Sequence, residues 1–167
     1  MAKIKQLEIK PPKLYRNWNE NTISWDDAFR NYNESVVQYH LGEESLKQKG
    51  SGYMVSHRAE KLPEVKGAIA DLGLGDKGIA HLYINIDASN DGLGTHVDTT
   101  DVFYWQQKGS SNWWFDSGDE WVLEEGDMVF SPKGVYHKVT STEARFGISI
   151  SDDRLKRHIQ MFRKSYK

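Results

Sequence analysis

The sequence contains no cysteine, and this absence removes several kinds of chemistry at once. Disulfides, a thiolate nucleophile and zinc sites built on cysteine are all excluded. Any metal ion must therefore be bound by histidine, aspartate or glutamate. The chain offers six histidines and 24 acidic residues for such a site.

Long apolar runs and an excess of charge of either sign are also missing. No segment approaches the roughly 20 apolar residues of a membrane span, and residues 1–13 lack the apolar stretch of a signal peptide. We therefore expect a soluble, cytoplasmic protein with no membrane partner. The formal net charge is −2, which disfavours nucleic acid as a partner, although the C-terminal segment is locally basic.

The chain has 167 residues, of which 38% are hydrophobic, and this length suits one domain with a single core. We expect a helical N-terminal part over 1–77, a strand-rich core over 78–151 and a short C-terminal helix over 152–167. Apolar residues at helical spacing predict the two N-terminal helices, over 25–41 and 63–72.

From Gly78 onward the apolar residues follow a period of two, which is typical of strands. Seven short segments, separated by turn-forming residues, have this character, and such a series favours a sandwich or a jelly roll. The segments lie within 79–87, 94–109, 112–116, 121–123, 127–131, 135–140 and 145–151.

A histidine and an aspartate open the second of these segments, in the stretch "GTHVDTTDVFYWQQKG". Alternation places His96, Asp98 and Tyr104 on one face of the strand, and Phe103 and Trp105 on the other. We expect the first face to line a polar pocket. The opposite face would be covered by the terminal helices.

Two ligand-type side chains on one face, one residue apart, can bind a single metal ion. His137, in the later stretch "GDMVFSPKGVYHKV", is the best third ligand. Two histidines and one carboxylate leave about three positions open on an octahedral iron, enough for a bidentate co-substrate and oxygen. We therefore predict that His96, Asp98 and His137 form a catalytic metal site.

These motifs resemble those of a known group of proteins. The spacing of Gly126, Pro132, Gly134 and His137 is similar to the second cupin motif, and the run "HVDTTDVFYWQQKGSSNWW" resembles JmjC-type hydroxylases and ribosomal oxygenases. The resemblance, over residues 79–151, implies a mainly β, cupin-like double-stranded β-helix (a jelly roll), with the N-terminal helices and the C-terminal helix packed on one sheet. It also implies that the triad binds Fe(II).

One position departs from that pattern. Many JmjC-type proteins have a lysine that binds the distal carboxylate of 2-oxoglutarate where this chain has Ser111. Arg145, eight residues after His137, resembles the arginine that takes this role in prolyl hydroxylases, and a guanidinium can bind a carboxylate through two parallel hydrogen bonds. The co-substrate residues that the resemblance implies are Arg145, Ser149, Tyr104 and Tyr83.

The resemblance implies an Fe(II)- and 2-oxoglutarate-dependent dioxygenase, which uses O2, releases succinate and CO2, and hydroxylates a substrate. The substrate stays open between a protein side chain and a small metabolite, and the terminal helices could support a homodimer. Two alternatives remain. One is a metal-dependent cupin enzyme that does not use 2-oxoglutarate, with Arg145 binding an anionic substrate; the other is a non-catalytic cupin ligand-binding module.

The residues also have ordinary structural interpretations. Arg145 could pair with Glu143 at the surface, because the two are neighbours in sequence. Tyr83 and Tyr104 could pack as strand aromatics usually do. The surface pair would leave Arg145 exposed, whereas the co-substrate role would place it in the pocket.

Overall fold

A computed structural model of the protein describes residues 10–39, 52–87 and 93–152, with side chains for all of these except 36–39. The described part is mainly β, with antiparallel sheets and few helices, which confirms the predicted class. None of the helices in these ranges has the length and apolar character that crossing a membrane requires. The predicted C-terminal helix lies, after its first residue, outside the described residues.

The described ranges contain two α-helices, two short 3-10 helices (Ala59–Lys61 and Gly75–Lys77) and nine strands. The α-helices are α1 (Trp25–Tyr39) and α2 (Pro63–Asp71). The strands are β1 (Lys13–Tyr15), β2 (Tyr53–Ser56), β3 (Gly78–Asn85), β4 (Val102–Lys108), β5 (Ser111–Phe115), β6 (Glu120–Leu123), β7 (Met128–Ser131), β8 (His137–Thr140) and β9 (Arg145–Asp152).

The strands form two antiparallel sheets. The larger has six strands in the order β1-β7-β4-β9-β3-β2, and the smaller has three in the order β6-β5-β8. At the centre of the larger sheet β9 pairs with both β3 and β4, so that Arg145 lies opposite Asn85 and Ser149 lies opposite Tyr104. This register places the predicted co-substrate residues of β9, Arg145 and Ser149, beside the strands that carry Tyr83 (β3) and Tyr104 (β4).

Two parts of the sequence-based description were wrong. The region predicted to be helical, 1–77, also supplies strands β1 and β2, which pair with β7 and β3 and form the two edges of the larger sheet. Both are short edge strands whose hydrogen-bond partners lie far away in the sequence, so a local pattern does not reveal them. The strand predicted to open near residue 94 begins instead at Val102, and the segment around His96 is joined to His137 by an isolated bridge.

Alternating side chains of β4 enter two separate cores. Trp105 is fully buried in the first core, between the larger sheet and the helices, together with Ile148 and with Val65 and Ile69 of α2. Tyr104 belongs to the second core, between the two sheets. Strand β4 therefore has one packing face and one pocket face, as predicted. The pocket opens between the two sheets.

One buried carboxylate adds to the strand pairing that attaches the N-terminal segment to the larger sheet. Asp127, which is 3% exposed, accepts hydrogen bonds from Arg16 Nη1 at 2.6 Å, from the Asn17 backbone at 2.9 Å and from the Glu124 backbone at 3.1 Å. These contacts bind the residues after β1 to the turn before β7. The segment thereby covers Trp105, whose indole nitrogen donates to the Asn19 carbonyl oxygen at 3.2 Å.

Candidate metal and anion site

The three predicted metal ligands come together at one end of the pocket. One ligand atom each from His96, Asp98 and His137 lies within 4.8 Å of the other two, and His137 Nε2 is 3.5 Å from Asp98 Oδ2. The backbones of His96 and His137 exchange two hydrogen bonds, of 3.0 and 2.9 Å. The Gly134 amide donates to the Asp98 carbonyl oxygen at 3.0 Å, so the turn before β8 holds both ligand segments together.

Hydrogen bonds orient both imidazoles in the same way. His96 Nδ1 lies 2.9 Å from the Gly94 carbonyl oxygen, and His137 Nδ1 lies 3.1 Å from the Val135 carbonyl oxygen. A carbonyl oxygen only accepts, so each Nδ1 carries the proton and donates. Each Nε2 is then left with its lone pair, which is the state that binds a metal ion.

The surroundings of His137 also favour its neutral form. The side chain is buried, and this burial lowers the pKa of His137, against smaller opposing effects of the Val135 carbonyl and the Asp98 carboxylate. A neutral imidazole is the form that coordinates metals. Two imidazole nitrogens and one carboxylate oxygen are a donor set that suits iron in a site with open positions, so the residues present fit an Fe(II) ion.

Arg145 lies inside the protein, and within the described ranges no neighbouring carboxylate neutralises its charge. The residue is 4% exposed, and its Nη1 donates to the Tyr104 hydroxyl at 2.8 Å. Its Nε is buried without a hydrogen-bond partner, and among the residues that the structure describes no carboxylate lies within 4.0 Å of the guanidinium. Glu143 instead accepts a hydrogen bond from Ser110 at 2.7 Å, so the predicted alternative of a surface pair does not occur.

An unneutralised guanidinium in the interior is costly, because the charge has lost its hydration without gaining a partner. Such a group is expected where a ligand supplies the missing anion. Three phenols line the same cavity. Removal from water raises the pKa of Tyr53, Tyr83 and Tyr104, although Arg145 opposes this for Tyr53 and Tyr104, so all three stay protonated near neutral pH and can donate a hydrogen bond.

One cavity contains every residue that the sequence predicted for the site. Its empty volume is about 540 Å³ including the open mouth. The predicted residues in its lining are His96, Asp98, His137, Arg145, Ser149, Tyr104 and Tyr83. The structure therefore brings the candidate metal ligands and the candidate anion ligands to the same space.

Sequence reasoning missed several residues of the lining. Tyr53 reaches the cavity from β2, and Trp113 and Val139 reach it from the smaller sheet. The signal for Tyr53 was the short β-prone run "YMVS", which is too short to distinguish from a loop without its partner β3. Trp113 is 4% exposed and packs in the second core, and it also forms part of the cavity wall.

Comparisons with known proteins find structural neighbours only. No family model matches the chain, and no curated protein matches it. YcfD, a ribosomal oxygenase from Escherichia coli solved with cobalt and succinic acid, superposes with a TM-score of 0.60 at 18% identity, over 86% of this chain and 48% of YcfD. Salicylate 1,2-dioxygenase from Pseudoaminobacter salicylatoxidans, solved with gentisate, gives 0.53 at 14% identity, over 83% of this chain and 34% of the enzyme.

The present chain thus spans between about a third and a half of the length of these neighbours. Sequence identities this low are evidence for a shared fold but not for a shared activity. Both neighbours are dioxygenases or oxygenases by name, and their common architecture is the cupin type. The chain accordingly has a cupin-type fold of the kind that these oxygenases share.

Proposed function

We propose that the protein is an Fe(II)- and 2-oxoglutarate-dependent dioxygenase that hydroxylates a protein side chain or a small metabolite. The observation that carries the proposal is the position of Arg145, whose buried and unneutralised guanidinium lines the same cavity as the His-Asp-His cluster. A ligand with an anionic group at one end and metal-binding oxygens at the other would neutralise the guanidinium and coordinate the metal ion at the same time. 2-Oxoglutarate has this form.

His96, Asp98 and His137 would hold the iron and leave about three of its six positions open. Bound iron supplies the redox chemistry that couples the reduction of O2 to the oxidative loss of CO2 from the 2-oxo acid and the hydroxylation of the substrate. The chain's own task is to bind and orient the reactants. No side chain needs to act as a strong base, and we assign none that role.

Arg145 would bind the distal carboxylate of 2-oxoglutarate. Its Nε has no hydrogen-bond partner in the part of the chain that the structure describes, and the Tyr104 hydroxyl that accepts from Nη1 can donate its own proton to the same carboxylate. Ser149 and Tyr83 line the cavity and add hydroxyl groups. The succinic acid in the YcfD structure supports this assignment, since succinate is the dicarboxylate that remains when 2-oxoglutarate loses CO2.

The apolar part of the lining would exclude water from the bound co-substrate. Val102, Val139 and Trp113 contribute apolar surface between the two sheets. Exclusion of water strengthens the ion pair between the guanidinium and the carboxylate. It also protects reactive intermediates from side reactions.

In its finer detail we propose a double-stranded β-helix, or jelly roll, within one domain. The six-stranded and three-stranded sheets with the cavity between them support this arrangement. By resemblance the metal site is of the JmjC and ribosomal-oxygenase type. The co-substrate site instead follows the prolyl-hydroxylase type, with an arginine in place of the lysine.

A dioxygenase that does not use 2-oxoglutarate is the second candidate. The complex of salicylate 1,2-dioxygenase with gentisate favours it, because gentisate is an aromatic carboxylate bound within the same type of fold. In that case Arg145 would bind the carboxylate of the primary substrate. The two candidates share the metal site and differ in which molecule occupies the anion site.

Anaerobic titration separates the candidates. The Fe(II)-loaded protein is mixed with 2-oxoglutarate and observed for the weak visible charge-transfer band of a chelated 2-oxo acid, and O2 is then admitted and succinate is measured. We expect both the band and succinate from the native chain, and a much weaker band from Arg145→Gln at the same concentration. Absence of band and succinate, with gentisate or salicylate consumed instead, would establish the second candidate.

A further inference from the structure

Ser111 stands where the JmjC resemblance would place a lysine, and the structure assigns it a different task. We propose that Gln106 and Ser111 hold the indole of Trp113 flat against the imidazole of His137, which makes Trp113 a positioning residue for a metal ligand. The inference rests on the proposed function, because it treats His137 as a ligand. It adds Gln106 and Ser111, to which the metal and co-substrate roles assign nothing, and it gives Trp113 a role beyond lining the cavity.

A chain of buried hydrogen bonds fixes the indole. Ser111 is 1% exposed, and its hydroxyl donates to Gln106 Oε1 at 2.7 Å while accepting from Trp113 Nε1 at 3.1 Å. Gln106 is fully buried, and its Nε2 donates to the carbonyl oxygens of Lys108 at 2.8 Å and Gly109 at 3.3 Å. The hydroxyl therefore uses its proton and one lone pair within this chain, and the carboxamide is anchored on the hairpin between β4 and β5.

The indole is stacked beside the imidazole of the metal ligand. The rings of Trp113 and His137 have centroids 5.6 Å apart and planes inclined by only 15°. Trp113 also packs against Tyr104, with centroids 5.0 Å apart, and Tyr104 is the hydrogen-bond partner of Arg145. One side chain thus borders both the metal ligand and the anion site.

Ser131 Oγ, 3.3 Å from Nδ1, and the Phe115 ring also border His137, but the Val135 carbonyl and the indole restrict different motions of its ring. The hydrogen bond from Nδ1 to the Val135 carbonyl oxygen sets where one ring atom lies. The parallel indole limits the tilt of the ring plane about that bond, and this tilt determines where the Nε2 lone pair points. Neighbours that orient a metal-bound histidine typically change metal affinity by about 10- to 100-fold when they are removed.

The test uses Co(II) alone as the probe, with its visible ligand-field spectrum as the readout. In Ser111→Ala the indole nitrogen loses its acceptor, and we expect Co(II) to bind about 10-fold more weakly with an altered spectrum. Ser56→Ala is the matched control: Ser56 is also a fully buried serine that donates to a carboxamide, Asn31 Oδ1, at 2.6 Å, but it lies outside the cavity lining. The control should bind Co(II) as the native chain does.

Trp113→Phe gives a second, independent comparison, and it carries the test if Ser111→Ala does not fold. It keeps an aromatic ring and removes the Nε1 donor, so we expect a similar loss of affinity. Because both changes break the same chain, the double variant should lose little more than either single variant.

Each outcome has a distinct meaning. If native protein and Asp98→Ala bind Co(II) equally, the metal site itself is wrong, and the proposed function and this inference fall together. If the native site depends on Asp98 but Ser111→Ala and Trp113→Phe match the native affinity and spectrum, only the positioning role is overturned. The positioning role would also be overturned if Ser56→Ala and Ser111→Ala lost Co(II) affinity equally, or if the losses of affinity were additive in the double variant.

Discussion

At the scale of single residues, Arg145 is the group whose surroundings demand a ligand. Its charge is buried beside a phenol and, among the described residues, without a carboxylate. Removing one member of a buried, hydrogen-bonded charge pair costs about 2–5 kcal/mol. Removing the Arg145 charge should therefore destabilise the ligand-bound protein but not the free protein, because only the ligand supplies the carboxylate that pairs with it.

We therefore expect Arg145→Gln to weaken 2-oxoglutarate binding by about 100-fold or more. The free energy of unfolding of the free protein should stay the same or rise, since an unneutralised interior charge is removed. Calorimetric titration and urea denaturation measure the two quantities. Arg30→Gln, at an exposed arginine paired with Asp27, is the control and should change neither. A large loss of stability in Arg145→Gln with unchanged affinity would make the arginine structural.

Gly147 allows Tyr104 to reach Arg145. A Cβ at Gly147 would overlap the hydroxyl and ring of Tyr104, which lies on the neighbouring strand. We expect Gly147→Ala to displace the phenol and to weaken 2-oxoglutarate binding by about 10-fold, the equivalent of one lost hydrogen bond to a charged group. The dissociation constant measured by titration checks this.

Gly67→Ala is the matched control for that change. Gly67 lies within α2 with nothing within 4 Å of an added Cβ. Alanine there should raise the free energy of unfolding by up to about 1 kcal/mol and leave binding unchanged. Unchanged affinity in Gly147→Ala would show that the contact between Tyr104 and Arg145 does not contribute to the anion site.

At the scale of elements, the short strand β1 and the residues after it depend on Asp127. Its carboxylate accepts three hydrogen bonds, two of them from this N-terminal segment. We expect Asp127→Ala to reduce the free energy of unfolding by about 1–2 kcal/mol, because two part-buried backbone donors and a half-exposed guanidinium lose their acceptor. Urea denaturation measures the change.

The exposed carboxylate of Asp116 gives the comparison for Asp127. Asp116→Ala should change stability by less than about 0.5 kcal/mol, as surface substitutions usually do. If the free energy of unfolding falls equally in both variants, the contacts of Asp127 with the N-terminal segment do not stabilise the fold more than an exposed carboxylate does.

The elements also show how far sequence reasoning reaches. The strands β3 to β9 were predictable because one buried face imposes a period of two, as in β4, where Tyr104 and Trp105 enter different cores. The edge strands β1 and β2 were not, because β2 takes its structure from pairing with β3 rather than from its own pattern. Tyr53 was missed for this reason.

The site was predictable to a different extent. The spacing of His96, Asp98 and His137 predicted a cluster, and the structure brings the three together. The contact of Trp113 with His137 had no sequence signal, because it joins two strands of the smaller sheet through side-chain packing. The roles assigned to the seven predicted residues, and the division of the chain into three parts of one domain, stay predictions.

At the scale of the whole molecule, metal binding should stabilise the fold. An ion that binds only the folded state adds about 2.7 kcal/mol at a concentration of 100 times its dissociation constant. For a chain of this size that corresponds to a rise in melting temperature of about 5–10 °C. We expect this rise with Fe(II) under anaerobic conditions or with Co(II) in air.

Asp98→Asn should lose most of that rise, because a neutral amide replaces the anionic ligand. Asp76→Asn, at an exposed carboxylate outside the cavity, should keep it. Differential scanning calorimetry with and without metal compares the variants. An equal rise in both would mean that the ion binds elsewhere.

The most direct measurement of the central claim is an anaerobic crystal structure of the protein with Fe(II) and 2-oxoglutarate, with anomalous scattering used to locate the iron. We expect one iron ion bound by His96 Nε2, His137 Nε2 and the Asp98 carboxylate, with 2-oxoglutarate chelating that ion and its distal carboxylate on Arg145. Iron bound to other residues, or a 2-oxo acid whose distal carboxylate avoids Arg145, would contradict the account.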